Sequence, residues 1–296
     1  MKELLKIENI CKTYPNGVKA NKNISFKLNV NEIIGLVGPN GAGKTTLIRQ
    51  ILKLLKPTSG NIIINDKVKK ISYVPQMPVF FPSLTVEESI KIPLKFEGLN
   101  SKDINNKTEN ILQETGLTSI RKQYNYTLSG GQKKLIMIAL AFSQDPDIVI
   151  LDEPTSMVDI INKERIWNLI KKYKKNKGIL LSSHDMNEIK ILADKVIIIT
   201  NGEIIYNGKI EEINRKVKTP VELNISVVNP KKLEKIIKDK NIIHMSKGNN
   251  YSLFFSELSE ALSIIEKIKE YNDIQYLNIE YPSFEKGVYE LVKNME

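Results

Sequence analysis

Three short stretches of the chain carry residue types that could act on a phosphate. In "GPNGAGKT" (Gly38–Thr45), Gly38, Gly41 and Gly43 let the backbone curl until its N–H groups point at phosphate oxygens. The helix that follows adds the partial positive charge of its N-terminus. Lys44 can reach β- and γ-phosphates, and the Thr45 hydroxyl can ligate Mg²⁺. In "IVILDEP", Asp152 ends an apolar strand, the position from which a carboxylate reaches a metal across the phosphate loop. Glu153 beside it could orient or deprotonate an attacking water. Burying two acids is costly unless a cation or hydrogen bonds compensate. In "TLSGGQKK" (Thr127–Lys134), Ser129 stands as an N-cap, and Gly130 and Gly131 leave the next N–H groups unobstructed. With the helix that runs from Gln132, this reads as a second anion site, or, taken alone, as a helix cap. One phosphate loop suffices to bind one nucleotide. The second must face another phosphate, or the same one from another direction.

The elements that would position these residues alternate between strand and helix. Residues 3–30 alternate apolar and polar around "YPNG" (Tyr14–Gly17), which predicts an antiparallel hairpin. "EIIGLVG" is a buried strand running into the loop, and "KTTLIRQILKLL" is the helix after it, ended by Pro57, Ser59 and Gly60. "NIIIND" and "KISYVP" are short strands. Residues from about 80 to 146 turn helical, with Ser83 and Thr85 as caps ahead of Glu87 and Glu88. "DIVILDEP" is continuously apolar, as buried parallel strands are. A helix over about Lys163–Lys175, strand "GILLSSH", a helix and strands "KVIIITNG" and "EIIYNG" complete a doubly wound pattern. The pattern breaks at 214–219, read as a linker. Residues 220–296 read as strand, helix, two strands, helix, strand, a ferredoxin-like α+β unit, with a last helix from Ser283.

Composition narrows the class. Apolar content of 41% and charged content of 26% suit a globular chain able to bury a core. Cys11 is the single cysteine, so no intrachain disulfide can form, and a reducing compartment is expected. The longest apolar run, "LIMIALAF" (Leu135–Phe142), has eight residues, far short of a membrane span. The start "MKELLKIENI" lacks a signal-peptide core. Net charge is +10, yet residues 220–296 hold 10 lysines and 12 carboxylates, so there is no basic tail. The run "KKYKKNK" closes a helix, where lysines suit the dipole.

Taken together, the three stretches resemble the motifs of the ATP-binding cassette (ABC) ATPases. Gly38–Thr45 resembles Walker A, Ile148–Glu153 resembles Walker B, and Leu128–Gln132 matches the family signature letter for letter. The resemblance covers roughly residues 3–213. It implies an α/β P-loop ABC ATPase over 1–213, with a mixed sheet, an antiparallel β subdomain and a helical subdomain, followed by the small α+β domain. It implies ATP and Mg²⁺ as ligands. Tyr14 is similar to the aromatic that stacks on adenine, and Asn40, Ala42 and Thr46 join Gly38, Gly41, Gly43, Lys44 and Thr45 around the nucleotide. Thr45, Asp152 and Gln76 would hold the metal. Gln76 resembles the Q-loop glutamine, and His184 in "LLSSHD" resembles the switch histidine at the γ-phosphate; with Glu153 they form the catalytic set. "SMVD" resembles the D-loop, ending in Asp159. Two cassettes pack head to tail in that family, and Ser129, Gly130, Gly131 and Gln132 of one face the nucleotide of the other. That would answer why the chain carries two phosphate loops.

The chain departs from the family pattern at Leu135 and Leu140, where arginines are usual, and at Met157, where a small residue is usual. "FFPSLTVEESI" resembles a segment of transporter ATPases. The tail "YPSFEKGVYELV" resembles the ending of bacterial drug, antibiotic and bacteriocin exporter ATPases, with Phe284 and Tyr289 substituted. The expected protein is thus the ATP-hydrolysing subunit of an ABC exporter. It would be cytoplasmic and peripheral at the inner face of the cell membrane, paired with a second cassette chain, as a homodimer, and with polytopic permease subunits; no nucleic-acid partner is expected. Two alternatives stand beside this: an importer ATPase, and a soluble ABC protein acting on ribosomes or nucleic acid. His244 has no partner motif and reads as structural.

Overall fold

Alternating strand and helix propensities resolve, in a computed structural model, into two units, Met1–Gly208 and Lys209–Glu296. The structure describes residues 2–79, 81–213, 221–271, 274–280 and 288. The division falls a few residues ahead of the boundary read from the sequence, because the last strand of the first unit already ends at Gly208. The linker at 214–219 lies outside the described residues. So do Phe80 and, apart from Val288, the final helix and the exporter-like tail.

The first unit opens with β1 (Glu3–Thr13) and β2 (Lys19–Asn29), which pair antiparallel around the "YPNG" turn. β3 (Glu32–Val37) runs into the glycine loop and α1 (Lys44–Ile51) leaves it. α1 stops earlier than its apolar pattern suggests, since Lys53 takes φ +59°, a left-handed turn that no helix continues through. β4 (Ser59–Ile64) returns to β1, giving the antiparallel sheet β2-β1-β4. After β5 (Ile71–Val74) come three helices, α2 (Val86–Phe96), α3 (Ser101–Thr115) and α4 (Gly130–Ser143). Then follow β6 (Ile148–Asp152), α5 (Ile160–Tyr173), β7 (Gly178–Ser182), α6 (Met186–Leu192), β8 (Lys195–Thr200) and β9 (Glu203–Gly208). α5 starts three residues earlier than its apolar pattern implies because Asp159 caps it, accepting from the Asn162 N–H.

The second sheet of this unit runs β5-β6-β7-β3-β8-β9, parallel except for the final antiparallel strand. Its central strands β3, β6, β7 and β8 are buried along nearly their whole length because both faces are covered. Ile34, Leu36, Ile148, Ile150, Leu180, Ile197 and Ile199 share one core with Leu47 and Ile48 of α1 and with Leu5, Ile7 and Leu28 of the antiparallel sheet. The phosphate loop is therefore clamped between two sheets. Among the described residues no helix is long and apolar enough to cross a membrane.

The helical segment is fixed by caps and one charge cluster. Thr85 and Glu88 form a capping box at α2. Arg121 donates to Glu87 at 2.9 Å and to both carboxylate oxygens of Glu109. α4 is buried nearly all round: Leu135 and Leu140, which stand where the family has arginines, are 0% and 8% exposed. Apolar packing thus takes the place of guanidinium contacts in this helix.

In the second unit, β10 (Val221–Val227), α7 (Pro230–Asp239), β11 (Ile243–Lys247), β12 (Asn250–Phe255), α8 (Leu258–Tyr271) and β13 (Ile274–Glu280) form an antiparallel sheet ordered β11-β12-β10-β13. β12 lies between β10 and β11, which is the split βαβ arrangement. Leu223, Ile225 and Leu253 close its core with Leu233, Ile237, Ile264 and Ile268 of the two helices. His244 is exposed on the edge strand β11.

Hydrogen bonds from Arg121, then Lys91, hold the Glu87 carboxyl at about 2, below its ordinary 4.5. A depressed carboxylate stabilises the fold above its unfolded pKa and loses that contribution as pH falls towards the folded value. Arg121→Leu should therefore destabilise the chain by on the order of 1–2 kcal/mol near neutral pH. The gap between parent and variant in denaturant melts should narrow from about pH 5 to about pH 3. A gap independent of pH would exclude this ion cluster as its source.

Candidate active site

Strand order decides which residues meet. β3, β7 and β6 lie side by side and parallel, with Leu36 opposite Ser182 and Ser182 opposite Asp152. Their C-terminal ends open at one edge, where open α/β sheets bind ligands. The loop after β3, the Ser182–His184 segment after β7 and the Asp152–Glu153 turn after β6 are thereby brought together.

The glycine loop is built to be filled by backbone alone. Gly43 sits at φ +103°, and a Cβ there would lie 2.2 Å from the Ala20 carbonyl oxygen. Among the helices of the first unit, α2 to α6 are capped by Thr85, Asn100, Ser129, Asp159 and Asp185, whereas α1 has no side-chain cap. Its first N–H groups are left to an anion. Lys44, 8% exposed, donates to Gly38 O at 2.6 Å and to Pro39 O at 3.1 Å. Burial pulls its pKa down, opposed by the nearby Glu153 and Asp152 charges. A cleft of about 290 Å³ is lined by Tyr14, Asn40, Gly41, Ala42, Gly43, Lys44, Thr45, Thr46, Gln76, Asp152 and Glu153, with Val18 and Ala20. The Tyr14 hydroxyl lies 3.3 Å from Thr46 Oγ1, so the aromatic sits at the mouth of the loop.

The acidic side of the cleft is held by hydroxyls. Asp152, 3% exposed, accepts from Ser182 Oγ at 2.5 Å and from Thr45 Oγ1 at 3.5 Å. The backbone N–H of Glu153 donates to Ser182 O and Oγ, at 3.0 and 3.2 Å. Glu153 itself adopts φ +51°, a left-handed conformation costly for a non-glycine residue and characteristic of functional turns. Its Oε2 lies 2.6 Å from His184 Nδ1. Tyr73, beneath this cluster, has its pKa raised by burial and by the Asp152 charge. Among the described residues no three His, Cys, Asp or Glu side chains cluster as a self-sufficient metal site. That fits Mg²⁺, which takes one or two protein oxygens and completes its shell with phosphates and water. Thr45 Oγ1 and Asp152 Oδ2, 3.5 Å apart in the cleft, are hard oxygen donors that could hold it.

The signature residues do not line this cleft. Ser129 Oγ accepts from the Gln132 N–H at 3.2 Å, and Gln132 Oε1 accepts from the Ser129 N–H at 2.9 Å, a complete capping box. Asp159 likewise caps α5, held ionised chiefly by the N–H of Asn162. Gly130 faces open space, with nothing within 4 Å of a built Cβ. Sequence reasoning passed over Ser182, whose double hydrogen bond orders the acidic turn, although the adjacent "SSH" stood at a strand end. It also passed over Asn21, buried with Nδ2 donating to Gly43 O at 3.2 Å, and Lys134, buried under the Glu153 turn.

Comparison with known proteins places this arrangement. The family model for ABC transporters matches residues 21–156. The chain is 33% identical over 261 residues, 87% of each chain, to the uncharacterized ABC transporter ATP-binding protein YxlF of Bacillus subtilis. It is 32% identical over 282 residues to the energy-coupling factor transporter ATP-binding protein EcfA of Methanosphaera stadtmanae, covering 88% of this chain and 99% of that one. Other curated relatives are longer, and the chain spans 9–26% of their length. Among solved structures, the dimeric post-hydrolysis state of the ATP-binding cassette MJ0796 bound to ADP and Pi superposes with a TM-score of 0.62 at 28% identity, over 70% of this chain and 98% of that one.

Gly43→Ala should abolish nucleotide binding, because the loop cannot accept both the left-handed backbone and a methyl against Ala20 O. Fluorescent ATP titration checks this; an affinity within about twofold of the parent would show that the loop does not hold the phosphates.

Proposed function

The chain belongs to the ABC transporter family of ATP-binding subunits and is an ATPase; on that premise we propose that it works as one of two head-to-tail copies. Each copy supplies a phosphate loop to one nucleotide and a signature loop to the other. The observation that carries this is the separation of the two loops within the chain. The cleft holds Lys44, Thr45, Asp152 and Glu153 but not Ser129–Gln132, and Gly130 stands open towards solvent.

In this reading Tyr14 stacks on the adenine, and the N–H groups of the loop and Lys44 hold the β- and γ-phosphates. Asn40, Ala42 and Thr46 line the path between. Thr45, Asp152 and Gln76 hold Mg²⁺, which when bound neutralises charge on the phosphates. Glu153 takes a proton from the water that attacks the γ-phosphorus in line. The bond to the β-phosphate oxygen breaks, and ADP leaves with that electron pair. His184 fixes Glu153 through its Nδ1 bond and contacts the γ-phosphate. Ser129 and Gly131 of the partner copy close the site, with Gln132 and Asp159 at the seam. Hydrolysis severs the γ-phosphate that both copies contact, and its departure as inorganic phosphate carries that charge away and releases the pair.

We assign the work done to transport through separate membrane subunits at the inner face of the cell membrane. Export is the direction supported by the tail "YPSFEKGVYELV". Import is a second reading, favoured by the similarity to EcfA over nearly all of that protein's length. Retrieval of tagged Glu153→Gln in mild detergent with ATP should bring down a hydrophobic protein with several spans, whose own sequence then bears on direction. Ribosomes or nucleic acid removed by salt would overturn the transport assignment.

Two variants test the composite site itself. Glu153→Gln should bind ATP, fail to hydrolyse it and elute as a dimer. Gly130→Ala should fold and bind ATP as the parent does, since its methyl meets no atom within the chain, yet lose hydrolysis by about tenfold or more. Glu153→Gln that stays monomeric at saturating ATP would contradict the head-to-tail arrangement.

A further inference from the structure

Lys134 is the fifth residue of α4, in a lysine pair that reads as solvent-facing, yet it is 3% exposed. Its Nζ donates to Glu153 O at 2.7 Å, Ser156 O at 2.9 Å and Ser156 Oγ at 2.7 Å. All three ammonium protons are thus committed to one turn. Ser156 Oγ in turn donates to Glu153 O at 3.1 Å. That turn is unusual: Glu153 and Met157 both take left-handed backbone, at φ +51° and +58°. Non-glycine residues persist there only where the surroundings over-determine them. Met157 contributes nothing to that, being 96% exposed. Burial depresses the Lys134 pKa, and the charges of Glu153, Glu188 and Asp152 oppose the depression. A buried ammonium beside three acids, with every proton bonded, is held by its acceptors and not by solvent.

We propose that Lys134 is a positioning residue that locks the signature helix to the turn carrying Glu153, so that the two move as one body. Given the head-to-tail pairing argued above, on which this consequence rests, the lock has a direction. The phosphate gripped by Ser129–Gly131 sits in the partner copy, whereas the carboxylate tied to that same helix serves the chain's own nucleotide. Lys134 then reports the occupancy of one site to the general base of the other. The lock acts on the backbone carbonyl of Glu153, while its carboxylate is held separately, 2.6 Å from His184 Nδ1.

The test uses the full chain with Lys134→Met, Lys134→Arg and Ser156→Ala. Lys134→Met should lower kcat about tenfold or more, leave ATP affinity within about twofold and remove cooperativity in ATP concentration. Lys134→Arg, which keeps charge and donors, should retain more activity than Lys134→Met. Ser156→Ala should lower kcat in the same sense, and its effect should not add to that of Lys134→Met. In the Glu153→Gln background, Lys134→Met should still dimerise with ATP. Parent-like kcat and cooperativity in Lys134→Met, or a loss of ATP affinity in step with kcat, would overturn the proposal. Should Lys134→Met not fold, Ser156→Ala decides, and parent-like kcat there overturns it. Failure of Glu153→Gln alone to dimerise would instead refute the paired arrangement, leaving the effect of Lys134 on kcat to be judged separately.

Discussion

The rest of the structure depends on how four charges are buried together. Asp152, Glu153, Lys44 and Lys134 are each no more than 8% exposed, in a place where an unpaired charge would cost several kcal/mol. Hydrophobic packing cannot satisfy them, so hydroxyls and carbonyls do. Ser182 and Thr45 serve Asp152, the Gly38 and Pro39 carbonyls serve Lys44, and the Glu153–Ser156 turn serves Lys134. The parallel order β6-β7-β3 makes this possible by bringing three strand ends to one edge. The apolar faces of those strands, sandwiched between α1, the antiparallel sheet and the helices, keep the edge rigid. The geometry proposed for catalysis is a by-product of charge compensation under a close-packed core.

Some of this was legible in the sequence and some was not. The phosphate loop was legible because its backbone admits only glycine at Gly43, and the "GKT" that follows has few other uses. The buried strand ending in Asp152 and Glu153 was legible because a continuously apolar run must lie inside. The resemblance put His184 and Glu153 at the same nucleotide, but their contact with each other was not legible, since the two residues are far apart in sequence and strand order alone joins them. Lys134 was not legible: two lysines early in a helix look like a solvated face, and only the packing of α4 under the acidic turn shows otherwise. Helix ends were misjudged for local reasons, α1 by the left-handed Lys53 and α5 by the Asp159 cap. The ferredoxin-like topology of the second unit could be read strand by strand, because each of its elements is bounded by Gly, Pro, Asn or Ser.

The departures from the family pattern now have a physical content. Leu135 and Leu140 are core residues of α4, so the helix is held by apolar contact where arginines would have reached for polar partners. Met157 has no packing role within the chain, and it projects from the left-handed end of the Lys134-bound turn. None of Leu135, Leu140 and Met157 lines the cleft that holds Lys44, Thr45, Asp152 and Glu153. In this chain the signature helix is anchored through Lys134 and an apolar face that includes Leu135 and Leu140.

The central claim is that one chain holds half of each of two nucleotide sites. The most direct measurement is a nucleotide-dependent disulfide between Asn40→Cys in the phosphate loop and Ser129→Cys in the signature, in a Glu153→Gln chain whose own Cys11 is replaced by Ser. A crosslink joining two chains, formed with Mg-ATP and absent without it, is the predicted result. Crosslinking within a single chain, or none at saturating Mg-ATP, would mean that the two loops do not meet across a pair of copies.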